Sequence, residues 1–412
     1  MVPDRHGDTR GIAGSAGTTA TVISGLGAML GAGLFAGLAP ATGLVGRWLP
    51  VALVIAAVPA AMSCCSTGDQ AGVFPGPGGG YRYTREQLGR WPGRIAGGLY
   101  LAGRAAAAAA LAGCFGAYLD PNRPALPALA LLAAVLVADA LKLRPAPALV
   151  RTLTVIVLVV LALVVVACFA IPAPPPTGVP VPAGTPGLDD PTGLLPAAGV
   201  LFFAFLGFEQ VTTGSGAYRR PRIAIPVLVA VALGTYLVVA FAVLHQLGPT
   251  RLAVSAVPLR DALDAADAAP LDPVVTVAAL VATALGLLLV VGGGRRTADA
   301  MAAGGDLPGV AVGARVFVVV GGAVGVLVAG PADAIELAAT CALFYYAFAN
   351  ASARLLSREE RAWPARTACF GLGVTVLIGM AMPPVDLAIA LGVTVVSGLA
   401  GTVVSTVRWL RR

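Results

Sequence analysis

Residues 21–40 read TVISGLGAMLGAGLFAGLAP and residues 201–214 read LFFAFLGFEQVTTG, and these two stretches decide the fold. The first packs Gly25, Gly27, Gly31, Gly33 and Gly37 into thirteen residues of an otherwise apolar run. Each glycine costs a helix about 1 kcal/mol relative to alanine. One reading is tight helix packing, since Gly27 and Gly31 form G-x-x-x-G. The other is a helix interrupted at Met29–Gly33, whose freed peptide N–H groups and half-helix end would attract a carboxylate. The second stretch has Gly207 in mid-run and Glu209 two residues later. An acid within lipid costs roughly 2.5–3.5 kcal/mol, so Glu209 must serve either as a tie between helices or as a gate at a second interruption. Breaks at corresponding positions of two halves are the mark of a transporter with its site at the midplane.

The rest of the chain supplies the lipid setting. Hydrophobic residues make up 58% of 412, enough for about twelve spans of roughly 20 residues. Charged residues are only 11%, against roughly 25% in soluble domains, and mean hydropathy is +0.88. The reading predicts spans near 18–40, 48–66, 93–119, 125–141, 149–171, 194–213, 226–247, 272–292, 312–330, 335–353, 367–382 and 385–407. The Pro-rich 172–193 should be an irregular outer loop. Segment 248–271, with Asp261, Asp264 and Asp267 at spacing three, should carry a short amphipathic surface helix. The expected organisation is a tail at 1–17, five-helix repeats at 18–171 and 194–353, two further helices over 367–407, and a tail at 408–412.

Charge placement orients this arrangement. With both termini cytoplasmic, 22 of the 27 basic residues fall on the inner side and four (Arg47, Arg123, Arg251, Arg260) on the outer. The net charge of +7 is thus a topology signal toward an inner (plasma) membrane with its anionic lipids, and argues against a nucleic-acid partner. Arg104, in LAGRAAAAAALA, falls within a span. It either pairs with Glu209 or lies near the membrane edge and snorkels.

Several function classes drop out. Lys142 is the only lysine and sits in LKLRP, so no G-x-x-x-x-G-K-[ST] loop for ATP exists. Cys64, Cys65, Cys114, Cys168, Cys341 and Cys369 lie in apolar runs without metal or disulfide spacing, and two histidines are too few for a metal cluster. No nucleophile, acid and base converge, so no enzyme and no cofactor is expected. The N-terminal residues, with mixed charge, do not read as a cleavable signal.

Four motifs carry a family resemblance. Residues 27–35, GAMLGAGLF, are similar to G-x-I-I-G-[ST]-G-I-F; residues 75–81, PGPGGGY, to P-x-x-G-G-x-Y; residues 202–209, FFAFLGFE, with 220–226, RPRIAIP, to a sixth-span signature and its N-P-x-R-x-I-P; and residues 296–308, RTADAMAAGGDLP, to R-x-x-x-A-M-A-R-D-G-x-L-P. The chain so resembles the amino acid–polyamine–organocation superfamily over nearly its whole length.

That resemblance implies an all-α membrane protein of the LeuT type, a five-plus-five inverted repeat with discontinuous helices 1 and 6 and two C-terminal helices. It implies a carboxylate cradle at Met29, Gly31, Ala32 and Gly33, carbonyls for the substrate amine at Phe205, Leu206 and Gly207, a capping aromatic at Phe203 and a gating acid at Glu209. The implied activity is secondary transport of an amino acid, neutral and apolar given these walls, with uptake coupled to H+. An exporter of the same fold is the alternative in direction, and a non-transporting amino acid sensor the alternative in class. Ala32 departs from the small hydroxyl residue of the family pattern, Gly216-Ala217 from its acidic pair and Arg220 from its Asn. Val157 stands where some members place a coupling lysine.

Overall fold

The computed structural model describes residues 18–143, 145–172, 190–209, 221–307 and 311–410, and among them every regular element is helical. The 1–17 tail, nearly all of the Pro-rich loop, and Gly216, Ala217 and Arg220 lie outside the described residues. The chain opens with two half-helices, α1 (Thr18–Met29) and α2 (Ala32–Phe35), then a short α3 (Leu38–Val45) and the long α4 (Leu49–Val73). An amphipathic helix, α5 (Gly79–Leu88), leads into α6 (Arg90–Leu119), α7 (Ala125–Ala140) and α8 (Pro147–Ala170). The second half begins at α9 (Leu194–Phe205) and runs through α10 (Pro221–Ala253), α11 (Pro258–Ala265), α12 (Asp272–Ala303), α13 (Ala311–Val328) and α14 (Pro331–Ala353). Two more follow, α15 (Ala365–Gly379) and α16 (Pro384–Leu410). Among the described residues six helices are long and apolar enough to cross a membrane unaided, five shorter apolar helices accompany them, and α1 with α2 makes a broken span, in line with the fold class expected from the sequence.

Helix α6 is the axle. It packs against α5, α7, α12, α13, α14 and α16 and is buried along most of its length. The run Ala105–Ala110 explains how: with only methyls to present, neighbours come close. Gly321, Gly322 and Gly325 of α13 lie on Ala105, Ala108 and Ala109, the small-on-small packing that holds helices together in lipid. The opposite extreme is α8, whose Val155, Ile156, Val159, Val166 and Phe169 face outward as a lipid-exposed stripe.

Polar side chains inside the bundle mostly stitch helices. Gln70 Nε2 donates to Ala349 O (2.8 Å) and Ser352 Oγ (2.9 Å), and Asn350 Nδ2 donates to Ser63 Oγ (3.0 Å), joining α4 to α14. Gln246 Nε2 donates to Ile171 O (2.8 Å), fixing the end of α8 to α10. The short helix expected between residues 248 and 271 is α11; it buries Leu259, Ala262 and Leu263 and turns Asp264 and Asp267 outward.

Candidate functional site

Both suspect spans are broken. Leu30 N makes the last α1 bond, to Leu26 O (2.8 Å); the chain then bends at Leu30–Gly31 before α2 begins. α9 stops at Phe205, after which Leu206 is extended (φ −66°, ψ 141°) and Gly207 adopts φ +121°. That φ disfavours any side chain, and a Cβ on Gly207 would also run into the Ala28 carbonyl. A Cβ on Gly33 would overlap the Ala204 backbone. The two breaks therefore lie against each other, each relying on a glycine where the other passes. Tyr236 of α10 spans them: its hydroxyl lies 3.0 Å from Met29 O and 2.7 Å from Ala204 O, donating toward a carbonyl at each loosened helix end. Phe205 packs edge-on against the Tyr236 ring (5.2 Å between centroids) and holds it there.

A cavity of about 50 Å³ opens where the breaks meet. Met29, Gly31, Gly33, Phe203, Leu206 and Gly207 line it, together with faces of α6, α12 and α14. Its walls are largely apolar; the polar groups are peptide units, three tyrosines (Tyr100, Tyr345, Tyr346) and Arg104. Glu209 lies behind the wall. Its Oε2 accepts from Gly207 N (2.9 Å) and Tyr346 Oη (3.1 Å), and its Oε1 is paired with Arg104, both side chains being over nine-tenths buried. The Arg104 guanidinium also sits over the Tyr100 ring, 4.5 Å from its centroid. On the far side of this pair is a second cavity of about 40 Å³, lined by Gly76–Gly79, Glu209, Gly293, Arg296 and Thr297. Arg104 faces the first cavity and Glu209 the second, while Tyr100 and Tyr345 line both. The ion pair is a partition.

The family model for amino acid permeases matches residues 20–320, nearly three-quarters of the chain. The chain belongs to the amino acid permease family. It is 37% identical over 377 residues to uncharacterized transporters of Mycobacterium bovis and Mycobacterium tuberculosis, covering 88% of this permease and 84% of theirs. In fold it is similar to a manganese transporter of Eremococcus coleocola, with a TM-score of 0.60 at 14% identity over 98% of this chain and 95% of that one. The same transporter in complex with an aromatic bis-isothiourea substituted compound gives 0.58. At that identity the likeness is one of fold alone. Among the described residues of this permease no group of His, Cys, Asp and Glu is placed to hold a metal ion. The protein is a membrane transporter and not an enzyme.

Of the positions singled out in the sequence, Met29, Gly31, Gly33, Phe203, Leu206 and Gly207 are brought to one cavity. Phe205 is fully buried but does not line it, its ring being occupied with Tyr236. Ala32 begins α2, and only its backbone is described. Arg104 is paired with Glu209 and does not snorkel. Val157 is buried in α8, but the side chain of that helix lying against the span-one backbone is Thr154, at Gly27. The tyrosines went unread. Tyr100 is one helical turn before Arg104, a spacing that places a ring beneath a cation, and Tyr236 is a tyrosine in an apolar run whose hydroxyl had to find a partner. Those two signals were available; nothing local marks Tyr346, 137 residues from Glu209.

Proposed function

We propose that this permease carries small neutral amino acids by alternating access, taking them up across the plasma membrane in step with a proton. The observation that carries the reading is the meeting of two broken helices at one apolar-walled cavity. In this reading peptide N–H groups of the Gly31–Gly33 turn take the carboxylate, and carbonyls at Leu206 and Gly207 take the ammonium. Both ends of a zwitterion are met by backbone, so selection falls to the walls, which are Met29, Phe203, Leu206 and the small residues Gly286, Ala338 and Ala342. At about 50 Å³ the cavity exceeds the roughly 10–15 Å³ one water needs and is small, which favours the smaller amino acids. Arg104 and Glu209 cancel each other's charge. A zwitterion keeps the site neutral; a cationic or anionic side chain would enter without a free counter-charge.

Coupling is assigned to Glu209. Protonating it would release Arg104 and the Tyr346 hydroxyl and open the partition between the two cavities. The experiment is flux of labelled alanine, valine and leucine into proteoliposomes with and without an inward pH gradient. Gradient-driven accumulation is expected for the wild type, and Glu209→Gln should lose accumulation while keeping exchange. Accumulation and pH dependence unchanged in that variant would remove Glu209 from the coupling. Failure of every amino acid to exchange through folded protein would end the transport reading. Gly33→Val should abolish binding, since its side chain would occupy Ala204's place. Both termini are placed in the cytoplasm on the arginine distribution; protease protection of tagged ends tests this.

A further inference from the structure

Two of the sequence motifs contribute nothing to the substrate cavity. Residues 75–81, PGPGGGY, form the turn into α5, and residues 296–308 begin in the last turns of α12. The fold brings them together at the second cavity, on the arginine-rich side of the Arg104–Glu209 pair. Gly76–Gly79 make one wall, and Gly293, Arg296 and Thr297 another. A Cβ on Gly78 would come within 2.8 Å of Ala300 Cβ, so the turn needs glycine to lie this close to α12.

Donors on these walls lack acceptors. Thr297 is only 4% exposed, and its hydroxyl makes no hydrogen bond among the described residues. Elsewhere in the bundle Thr42, Thr67, Thr283 and Thr375 turn the hydroxyl back onto the carbonyl four residues earlier. Thr297 does not, and lines the cavity. Across from it the chain passes through Gly78 (φ +108°) and Gly79 (φ +48°) into α5. The first N–H groups of a helix have no partner within it. Gly80 N donates to Tyr345 Oη (2.8 Å), but the N–H groups of Gly78 and Gly79 meet no acceptor among the described residues. Tyr345 also lines the cavity, and its hydroxyl, having accepted from Gly80, keeps its own proton to give.

The field suits a small anion. Arg104 and Glu209 are paired with each other, Arg296 adds a positive charge at the wall, and the start of α5 adds the positive end of its dipole. A doubly charged anion would lie against Glu209, which borders the same space. A single carboxylate avoids most of that repulsion and offers two oxygens to neighbouring donors. The cavity, about 40 Å³, admits only a small group.

We propose that the second cavity is a carboxylate-binding site. The Thr297 hydroxyl and the N–H groups of Gly78 and Gly79 hold the anion, and Arg296 and the α5 N-terminus supply the field. One source is an amino acid that has passed the partition, its carboxylate on these donors and its ammonium toward Glu209. That source rests on the transport reading above. The site itself does not, since a free small acid arriving from the arginine-rich side would meet the same donors.

The test is binding of 13C-labelled acetate to the full chain in neutral-lipid nanodiscs, read by NMR line broadening. Thr297→Val keeps the shape and removes the hydroxyl, and should weaken acetate binding about tenfold. Thr297→Ser keeps the hydroxyl and loses the methyl, and should bind as the wild type does. No acetate binding by the wild type overturns the proposal, and so does binding that Thr297→Val leaves unchanged or that Thr297→Ser loses equally. Gly33→Val, which closes the substrate cavity, should still bind acetate; if it folds poorly, the Thr297 pair decides alone. Unlabelled alanine that displaces acetate from the Thr297-dependent site identifies the departing amino acid as its ligand. Acetate that alanine leaves in place identifies a free acid. Thr297-dependent binding without amino acid flux would sink the transport reading and leave this site standing; flux without such binding would do the reverse.

Discussion

Glu209 and Asp306 are both buried carboxylates held by arginine and a tyrosine hydroxyl, yet they are built for opposite purposes. Glu209 is held by Arg104, by the Tyr346 hydroxyl and by the Gly207 N–H, and lies beside two cavities. Asp306, in the turn after α12, is over-supplied. Tyr81 Oη (2.7 Å) and Arg85 Nε (2.9 Å) donate to its Oδ2, and Arg94 Nε (2.9 Å) and Arg90 (3.3 Å) to its Oδ1. Arg85 also donates to Gly304 O (3.0 Å). Removing any one donor leaves Asp306 with three, whereas losing Arg104 takes from Glu209 the guanidinium paired with its Oε1. A pair set between two cavities is a device that opens. A four-to-one cluster is a clasp, here tying α5 and the start of α6 to the turn after α12.

The largest effect should come from breaking the single pair on one side. Arg104→Met strands the Glu209 charge, and breaking a buried pair this way costs about 3–5 kcal/mol. Arg104→Met with Glu209→Gln should recover most of that stability, since no charge is left to bury, but not the gradient-driven accumulation. Thermal unfolding and flux on the two singles and the double form the cycle. A double variant no more stable than Arg104→Met would show that Arg104 acts through its packing on Tyr100 instead.

The clasp should yield less. Asp306→Asn keeps the shape and most hydrogen bonds while removing the charge that strengthens them, and a loss of about 1–3 kcal/mol is expected from weakening charge-assisted bonds. Burial pushes the Asp306 carboxyl up, but the hydrogen bonds from Tyr81, Arg94 and Arg85 outweigh it and hold the group below the usual carboxylate value. A carboxylate lowered in the folded state contributes stability above its unfolded pKa of about 4, and that contribution is lost as pH falls through the lower folded value. Unfolding temperatures of wild type and Asp306→Asn should therefore converge below about pH 4 and stay a constant distance apart above it. Convergence near neutrality would mean a different group is being read.

Smaller still is the tie between the breaks. Tyr236→Phe removes one hydroxyl that serves two carbonyls with a single proton, worth about 1 kcal/mol in stability. The effect on substrate affinity should exceed the effect on unfolding, because the hydroxyl positions the turns that would hold the zwitterion. Equal losses in both would reduce Tyr236 to a packing residue.

The contrast between the two carboxylates also marks what a sequence discloses. The fold was legible because lipid forbids most alternatives: long apolar runs must be helices, and glycines crowded in mid-run must be either packed or broken. Residues 21–40 and 201–214 left that choice open. It was the bend at Leu30–Gly31 and the extended Leu206 followed by Gly207 at φ +121° that settled it as broken. Arg104 stayed ambiguous because its depth depends on how α6 is seated against its neighbours, which the alanines around it do not encode. Asp306 was quoted within a motif but drew no role, since its partners Tyr81, Arg85, Arg90 and Arg94 are more than 200 residues earlier. Carboxylates announce that they need a partner; only the packed structure says which.

The smallest effect isolates redundancy itself. Arg90 is 57% exposed at its side chain and reaches Asp306 at 3.3 Å, the longest of the cluster's contacts. Water screens it, its side chain pays entropy to stay in place, and Asp306 keeps Arg85, Arg94 and Tyr81 without it. Arg90→Ala should cost about 0.5 kcal/mol or less. Arg94, 7% exposed and at 2.9 Å on the same oxygen, should cost several times more when cut to alanine. Measured side by side by thermal unfolding at moderate and at high salt, Arg90→Ala should shrink toward zero in salt and Arg94→Ala should not, because screening reaches only the exposed pair. Equal losses with equal salt dependence would mean the clasp is solvated throughout, and its difference from the Glu209 pair would then be one of number alone.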